Sequence, residues 1–445
     1  MRFEPGESPL ERDGIAEKTI SALRTLYLRD ERPWVVAFSG GKDSTLMAQL
    51  VCNMLLELGS RASKPVHIVS SDTRVEAPNV EEYLAGAIRR IQAFAEASDL
   101  PLFARLVQPE PDEGFWGQLI GKGYPSPTRW FRWCTSKMKI RPMRRHIEEI
   151  TAHHGSVILL LGSRRSESPE RAKRMQGRDL TDAGLNPHHE IPNALAATPI
   201  MEWTTDEVWE HLLAHAPPWG GDHRALYDLY RQAEGGECPV ILDLSQPSCG
   251  GNRFGCWTCT VVKLDKSMQG FIDSGEEWMR PLNAFRDRLK AVRELPAWRM
   301  DRRRSGALTE RRQGPFTPEK RKLILEELLQ LEEKCGKTLI NDEELGYIQS
   351  VWAREFDLSG RAALDLAQQY GRRANRWESA VTVNIQDEIL EELLVDNPLD
   401  AELVHSLLRL AYDYHPNLDD YGKKAEFERS ICNAVEMSMG TEKDA

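Results

Sequence analysis

Trp34-Val-Val-Ala-Phe-Ser-Gly-Gly-Lys-Asp-Ser-Thr45 decides how this chain is read. The apolar run Trp34 to Phe38 has the length and branched content of a strand buried on both faces. Asp43 to Leu58 follows with Leu46, Leu50, Met54 and Leu58 on one stripe, which is the period of a helix. Between them, Gly40 and Gly41 let the backbone turn tightly and approach a ligand closely. The start of the helix offers N–H groups without helical partners and the positive end of the helix dipole. Ser39, Ser44 and Lys42 add hydroxyl and ammonium donors. Strand, loop and helix in this order predict a pyrophosphate cradle rather than a bare connecting turn. The spacing is not that of a Walker A loop.

Outward from this loop the same alternation continues. Val66 to Val69, Leu102 to Val107 and Val157 to Leu161 read as strands, and Asn79 to Ala97 and Lys137 to His154 as helices, with Pro142 complicating the start of the last. Thr204 or Thr205 caps a helix over Asp206 to Ala214. Such alternation predicts an α/β fold, a parallel twisted sheet with helices on both faces. Ligands then bind at the carboxyl ends of strands near a topological switch point. Residues 217–255 are rich in Gly and Pro, and from Phe316 onward the pattern is helical. The expected organisation is an N-terminal helical segment over 1–32, a nucleotide domain over 33–216, a cysteine-rich and basic segment over 217–310, and an acidic all-α region over 311–445.

The net charge of −11 over 445 residues conceals an asymmetry. Arg129 to Arg178 carries 13 Lys/Arg against 4 Asp/Glu, and Arg280 to Lys322 carries 14 against 5. Leu323 to the end carries 12 against 26. Two concentrated basic stretches on an acidic chain point to a polyanionic ligand at defined places, with solvated helix faces as the alternative. Trp298 to Arg312, with six Arg, is a candidate contact for such a ligand. No run is apolar enough to span a membrane, and Met1 to Asp13, with four acidic residues, does not read as a secretory signal. A cytoplasmic, reducing setting is expected, so the eight cysteines are read first as metal or redox sites.

Ser39-Gly-Gly-Lys-Asp-Ser44 resembles the signature of the PP-loop ATP pyrophosphatases, a superfamily that includes phosphoadenylylsulfate (PAPS) reductases and tRNA thiolases. The likeness extends to Ser71-Asp-Thr73 with Glu76 and Pro78, and to Gly162-Ser-Arg-Arg-Ser-Glu-Ser168. It closes with Pro199-Ile-Met-Glu-Trp203 and Asp206 to Trp209. It implies that Ser39, Gly40, Gly41, Lys42, Asp43, Ser44, Thr45, Asp72 and Gly162 bind ATP, with Mg²⁺. Asp43 either holds Mg²⁺ or caps the helix. Asp72 either touches Mg²⁺ or nucleotide, or makes an Asx-turn. Arg164 and Arg165, after the strongest strand, suit charge that builds on the α phosphate, with Lys42 and Asp43 completing the catalytic set.

Cys249-Gly-Gly-Asn-Arg-Phe-Gly-Cys256-Trp-Thr-Cys259 is the second motif. Three thiolates require a fourth, and Cys134 is preferred over Cys238. Spacing suits zinc and a 4Fe–4S cluster equally. Arg132-Trp-Cys-Thr with Lys137, together with Phe254 to Cys259, resembles the DndC branch of PAPS-reductase-like proteins, with SspD close by. That likeness favours the cluster. It implies a sulfurtransferase for DNA backbone phosphorothioation within a restriction-like phage-defence system. Its partners would be DNA, a cysteine desulfurase as sulfur donor and other phosphorothioation proteins. A PAPS or adenylylsulfate reductase is the rival, but Ser430-Ile-Cys-Asn433 does not match the reductase motif Glu-Cys-Gly-x-His. A tRNA thiolase and a silent assembly subunit are further alternatives.

Overall fold

The computed structural model describes residues 9–165, 185–188, 191–233, 255–304, 307–309, 313–357, 359–372, 400–414 and 423–441. The chain divides into two compact units, Met1–Pro109 with Pro127–Arg286, and Glu110–Ser126 with Asp287–Ala445.

In the first unit α1 (Pro9–Tyr27) precedes β1 (Trp34–Ala37), α2 (Lys42–Leu58), β2 (Val66–Ser71), α3 (Pro78–Ala97) and β3 (Leu102–Val107). Then come α4 (Arg141–His154), β4 (Val157–Leu160), β5 (Asn186–Pro187) and β6 (Ala194–Ala197). α5 (Thr205–Ala214), α6 (Arg224–Gln232) and α7 (Lys266–Asp273) follow, and α8 (Arg280–Val292) begins in this unit and ends in the second. The strands form one six-stranded sheet in the order β3-β2-β1-β4-β6-β5. All pairings are parallel except β5 with β6. The order reverses direction between β1 and β4, which pair Trp34 with Ile158 and Val36 with Leu160. That is the switch point at which α/β sheets open a crevice.

Burial explains the pattern. β1 and β4 are buried at every position, as central parallel strands require. Met143, Ile147 and Ile150 of α4 pack onto Val35, Val69, Val157 and Leu159. The expected helix over Lys137 to His154 is instead a π-helical turn, Thr135–Ile140, running into α4, with Pro142 in its first turn. Proline lacks the N–H that an unbroken α-helix would need there. Thr204, not Thr205, caps α5, in a reciprocal capping box with Glu207.

The second unit is helical. α9 (Pro318–Cys335) and α10 (Asp342–Glu355) pack on a buried π-helical turn, Gly117–Gly121, and α11 (Ala362–Gln369) packs on both helices. Trp116 Nε1 donates to Leu339 O at 2.7 Å and Trp352 Nε1 to Ile120 O at 3.0 Å. Buried Glu344 accepts from the N–H groups of Trp116 and Gly117. α12 (Ala401–Tyr414) and α13 (Lys423–Thr441) pair through Leu410, Tyr414 and Ala434. No helix among the described residues is long and apolar enough to cross a membrane.

Candidate active site

The predicted loop lies at the carboxyl end of β1 and leads directly into α2. Gly41 holds the N-cap position and supplies no capping side chain, so the helix N-terminus is left to other partners. Gly40 has φ +74°, and a Cβ there would come within 2.9 Å of Leu84. A Cβ on Gly41 would meet the Tyr230 hydroxyl at 3.0 Å. Gly40 needs glycine for its positive φ, and a side chain at Gly41 would crowd the Tyr230 hydroxyl. Inside the loop, Ser44 Oγ donates to Gly41 O at 2.9 Å and lies 3.1 Å from Ser39 Oγ. Ser44 Oγ also accepts from Ser39 N–H at 3.2 Å, and Thr45 N–H closes the first helical turn on Gly41 O.

β4 delivers the second half of the site. A Cβ on Gly162 would lie 3.0 Å from Asp43 O and 3.1 Å from Ser44 N. The segment after β4 thus packs backbone against backbone on the first turn of α2. Two residues on, Arg164 is only 1% exposed. Its Nε donates to Asp43 Oδ1, and one terminal nitrogen reaches Asp43 Oδ2 at 3.4 Å. The other terminal nitrogen donates to Trp203 O and to Thr205 Oγ1. Lys42 Nζ donates to Asp43 Oδ2 at 3.2 Å, in a side chain 4% exposed. Burial, against the opposing pull of Asp43 and with a further push from Arg164, lowers the Lys42 pKa to about 8.

This arrangement changes several expected roles. Asp43 neither caps the helix nor presents a carboxylate open to Mg²⁺, because both oxygens accept from Arg164 and Lys42. Arg164 is a brace that ties α2 to β4 and α5; it does not offer its guanidinium at the surface. Arg165 turns away from the loop and pairs with Glu202 at 2.9 Å. Asp72 forms the Asx-turn: Oδ1 accepts from Arg74 N–H at 2.8 Å and Oδ2 from Gln108 Nε2 at 2.8 Å. This turn holds Arg74 at a φ of +61°. The residues present therefore fit a phosphate at the uncapped helix N-terminus beside Lys42, and they do not by themselves build a Mg²⁺ site.

Sequence reasoning overlooked Tyr230. Its hydroxyl accepts from Lys42 N–H at 3.2 Å, and its ring lies 5.8 Å from Lys42 Nζ. It stands on the apolar face of α6, held by Trp209 at 5.1 Å. Nothing local in the sequence ties it to a loop 188 residues away.

The cysteine motif lies partly outside the described residues, which include neither Cys249 nor its rival Cys238. Cys256 and Cys259 share one turn, closed by Cys259 N–H on Cys256 O at 2.9 Å. That turn docks on the segment after β2. Trp257 N–H donates to Val75 O, and Cys256 Sγ lies 3.3 Å from Thr73 Oγ1 and 3.8 Å from Glu76 Oε1. Lys139, in the π-helical turn that starts after Cys134, reaches the same Glu76 oxygen at 3.5 Å. Arg286, fully buried, braces the turn by donating to the carbonyls of Cys259, Val262 and Lys263. Among the described residues no group of three His, Cys, Asp or Glu is disposed to hold a metal ion. These residues do not complete a cluster or zinc site.

The second basic stretch is partly consumed by the fold. Arg299 donates to the carbonyls of Arg293 and Gln313, Arg304 pairs with Glu355, and buried Arg321 reaches Gly121 O and Glu355. Arg302 and Arg303 are exposed.

The phosphoadenosine phosphosulfate reductase domain matches residues 33–262, and the chain belongs to that family. Two uncharacterized Methanocaldococcus jannaschii proteins are similar. One is 24% identical over 62% of this chain and 47% of its own length, the other 25% identical over 47% and 44%. The chain thus spans about half the length of these curated relatives. Adenosine 5'-phosphosulfate reductase 2 of Bacillus subtilis is 24% identical over 46% of this chain and 73% of that protein. Among solved structures, the U34-tRNA thiolase NcsA of Methanococcus maripaludis with its [4Fe-4S] cluster is 13% identical, with a TM-score of 0.28 over 63% of this chain and 79% of that one. An FMN adenylyltransferase of Candida glabrata in complex with FMN and an ATP analogue scores 0.28 at 11% identity, over 47% and 61%. At these values the two structures add nothing to the family assignment.

Proposed function

We propose that this member of the phosphoadenosine phosphosulfate reductase domain family is an ATP-using sulfurtransferase that acts on the DNA backbone. One observation carries the reading. The N-terminus of α2, which lacks a capping side chain of its own and has Lys42 N–H on the Tyr230 hydroxyl, the two loop glycines and buried Lys42 converge where β1 and β4 diverge. This is a cradle for a run of phosphates, favoured by aligned N–H groups and by the lysine charge. The β and γ phosphates of ATP would lie there, against Ser39 to Thr45, with Asp43 and Arg164 fixing the loop rather than touching the reacting atoms.

A non-bridging oxygen of a DNA phosphate attacks the α phosphorus, and pyrophosphate leaves. The terminal sulfur of a persulfide, supplied by a cysteine desulfurase, attacks the activated DNA phosphorus, and AMP leaves with the former oxygen. A thiol then cleaves the sulfur–sulfur bond, releasing a disulfide and leaving sulfur on the DNA. The attacking phosphate is already an anion, so the step requires no strong base. Cys134, Cys249, Cys256 and Cys259 are proposed as thiols of a 4Fe–4S site, with zinc as the alternative. Iron, sulfide and zinc analysis of anaerobically purified protein separates the two.

The likeness to an adenosine 5'-phosphosulfate reductase favours a second reading, reduction of an adenylated sulfate. One assay separates them. Protein is incubated with ATP labelled at the α phosphorus and a DNA oligonucleotide, and in parallel with adenylylsulfate and a thiol. The proposal expects DNA-dependent pyrophosphate and label retained on the oligonucleotide. Sulfite and AMP from adenylylsulfate, without pyrophosphate from ATP, would replace it with the reductase reading.

A further inference from the structure

Among the described large apolar side chains, Trp130 stands apart. It is 97% exposed, and its neighbour Phe131 is 45% exposed. Scattered exposed apolar residues need no explanation, but two adjacent aromatics between Arg129 and Arg132 form a composite surface. The tip that carries them is built rather than loose. Thr128 Oγ1 accepts from the N–H groups of Trp130 at 3.3 Å and Phe131 at 3.0 Å. Thr128 N–H donates to Phe131 O at 3.2 Å, closing the turn. Arg132 Nε reaches back to Arg129 O at 3.3 Å.

Both ends of the tip are fastened to the candidate site. At its base, Thr260, next to Cys259, donates its hydroxyl to Pro127 O at 2.8 Å. Beyond it, Trp133 is buried and the π-helical turn Thr135–Ile140 begins. That turn receives the Ser71 hydroxyl at Met138 O, 3.1 Å away, at the carboxyl end of β2. The aromatic tip is therefore anchored on the carboxyl-end rim of the sheet, where the phosphate loop also lies.

We infer that this tip is a stacking platform for single-stranded DNA, with a base on the Trp130 indole and backbone phosphates on Arg129 and Arg132. An indole presented at the apex of a short turn can stack on a base only when that base is unstacked from its neighbours. Reading a duplex major groove calls for a helix or a two-stranded ribbon, and this tip is neither. The inference rests on the DNA reading above and adds to it the strand state and the contact residues.

The test is fluorescence anisotropy of a labelled single-stranded oligodeoxynucleotide, its duplex, and an RNA of the same sequence. The proteins are the full chain, Trp130→Ala, Trp130→Phe and the Arg129→Ala/Arg132→Ala pair. Single-stranded DNA is expected to bind most tightly. Trp130→Ala should weaken it about tenfold with an unchanged salt slope, and Trp130→Phe should restore most of the loss. The arginine pair should flatten the salt slope by about 0.7 for each phosphate that is no longer neutralised. Affinity of Trp130→Ala within twofold of the unaltered chain, or a preference for duplex or RNA, would overturn the inference. Pyrophosphate release is followed in the same samples. Binding through Trp130 without pyrophosphate would support the platform and remove the adenylation reading. DNA-dependent pyrophosphate with unaltered affinity in Trp130→Ala would do the reverse.

Discussion

Two buried lysines mark opposite ends of the central strands, and nearly everything local about them is alike. Lys42 follows β1 and is 4% exposed; Lys64 precedes β2 and is 3% exposed. Burial lowers each pKa to about 8. Each has an aspartate partner and an aromatic wall. Lys64 Nζ donates to Asp30 O at 3.1 Å and sits 4.6 Å from the Tyr27 ring and 5.0 Å from the Trp34 ring. The Tyr27 hydroxyl also exchanges hydrogen bonds with the backbone of Lys64, fastening α1 to the sheet. What separates the two is the backbone around them. Lys42 stands at an uncapped helix N-terminus between Gly41 and the segment of Gly162, whereas Lys64 is enclosed by rings and carbonyls. A shifted lysine alone therefore does not mark a site; the convergence of glycines, helix dipole and strand ends does.

The sharpest way to break this comparison is to remove Arg164. Arg164→Ala leaves the buried Asp43 carboxylate without its main partner and should cost about 3–5 kcal/mol in denaturant unfolding. A loss no larger than that of an exposed pair would mean that the carboxyl-end rim is not held by this ion network. Next is Gly162→Ala. The new methyl would press on the backbone of Asp43 and Ser44, atoms that cannot rotate aside, and should cost about 1–3 kcal/mol. Unaltered stability with unaltered ATP affinity would separate β4 from the loop.

Phosphate binding favours charged Lys42, which in the unliganded protein loses its proton near pH 8. ATP affinity should therefore fall above pH 8. The fall should approach about tenfold per pH unit for one coupled proton, and Lys42→Arg should abolish it. A flat profile in the unaltered protein would exclude Lys42 from the phosphate site. The smallest effect is expected at the other end. Lys64→Met should be neutral or slightly stabilising near pH 7, within about 1 kcal/mol, since a buried charge is replaced by an apolar side chain of similar length. The sign across pH is fixed. Between pH 8 and 10.5 the unfolded chain keeps protons that folded Lys64 and Lys42 have released, so both lysines make stability rise over that window. Lys64→Met should remove its share of that rise.

The loop was legible in the sequence because its strand, turn and helix are contiguous and each carries its own signal. The parallel sheet was legible for the same reason in β1, β2, β3 and β4. β6 was not: Ala-Leu-Ala-Ala has little strand propensity, and it is a strand only because it pairs with β4. Nor could the sequence reveal that Asp43 is claimed by Arg164, 121 residues away, or that Tyr230 covers Lys42 N–H. Both depend on how β4 and α6 are packed, and the first replaces the metal and α-phosphate roles that the motif suggests for Asp43 and Arg164. The arginines of the second basic stretch teach the same point. Charge counting treats Arg299, Arg304 and Arg321 as surface, whereas the fold uses them on carbonyls and on Glu355. The placement of 110–126 with the C-terminal helices rests on Trp116 and Glu344, contacts that no local pattern announces.

The claim that the carboxyl-end rim of the sheet is the nucleotide site is tested most directly by calorimetric titration of ATP into Lys42→Met and Lys64→Met at pH 7. The account predicts that Lys42→Met loses ATP binding while staying folded, and that Lys64→Met binds as the unaltered protein does. Retained affinity in Lys42→Met, or loss confined to Lys64→Met, would contradict it.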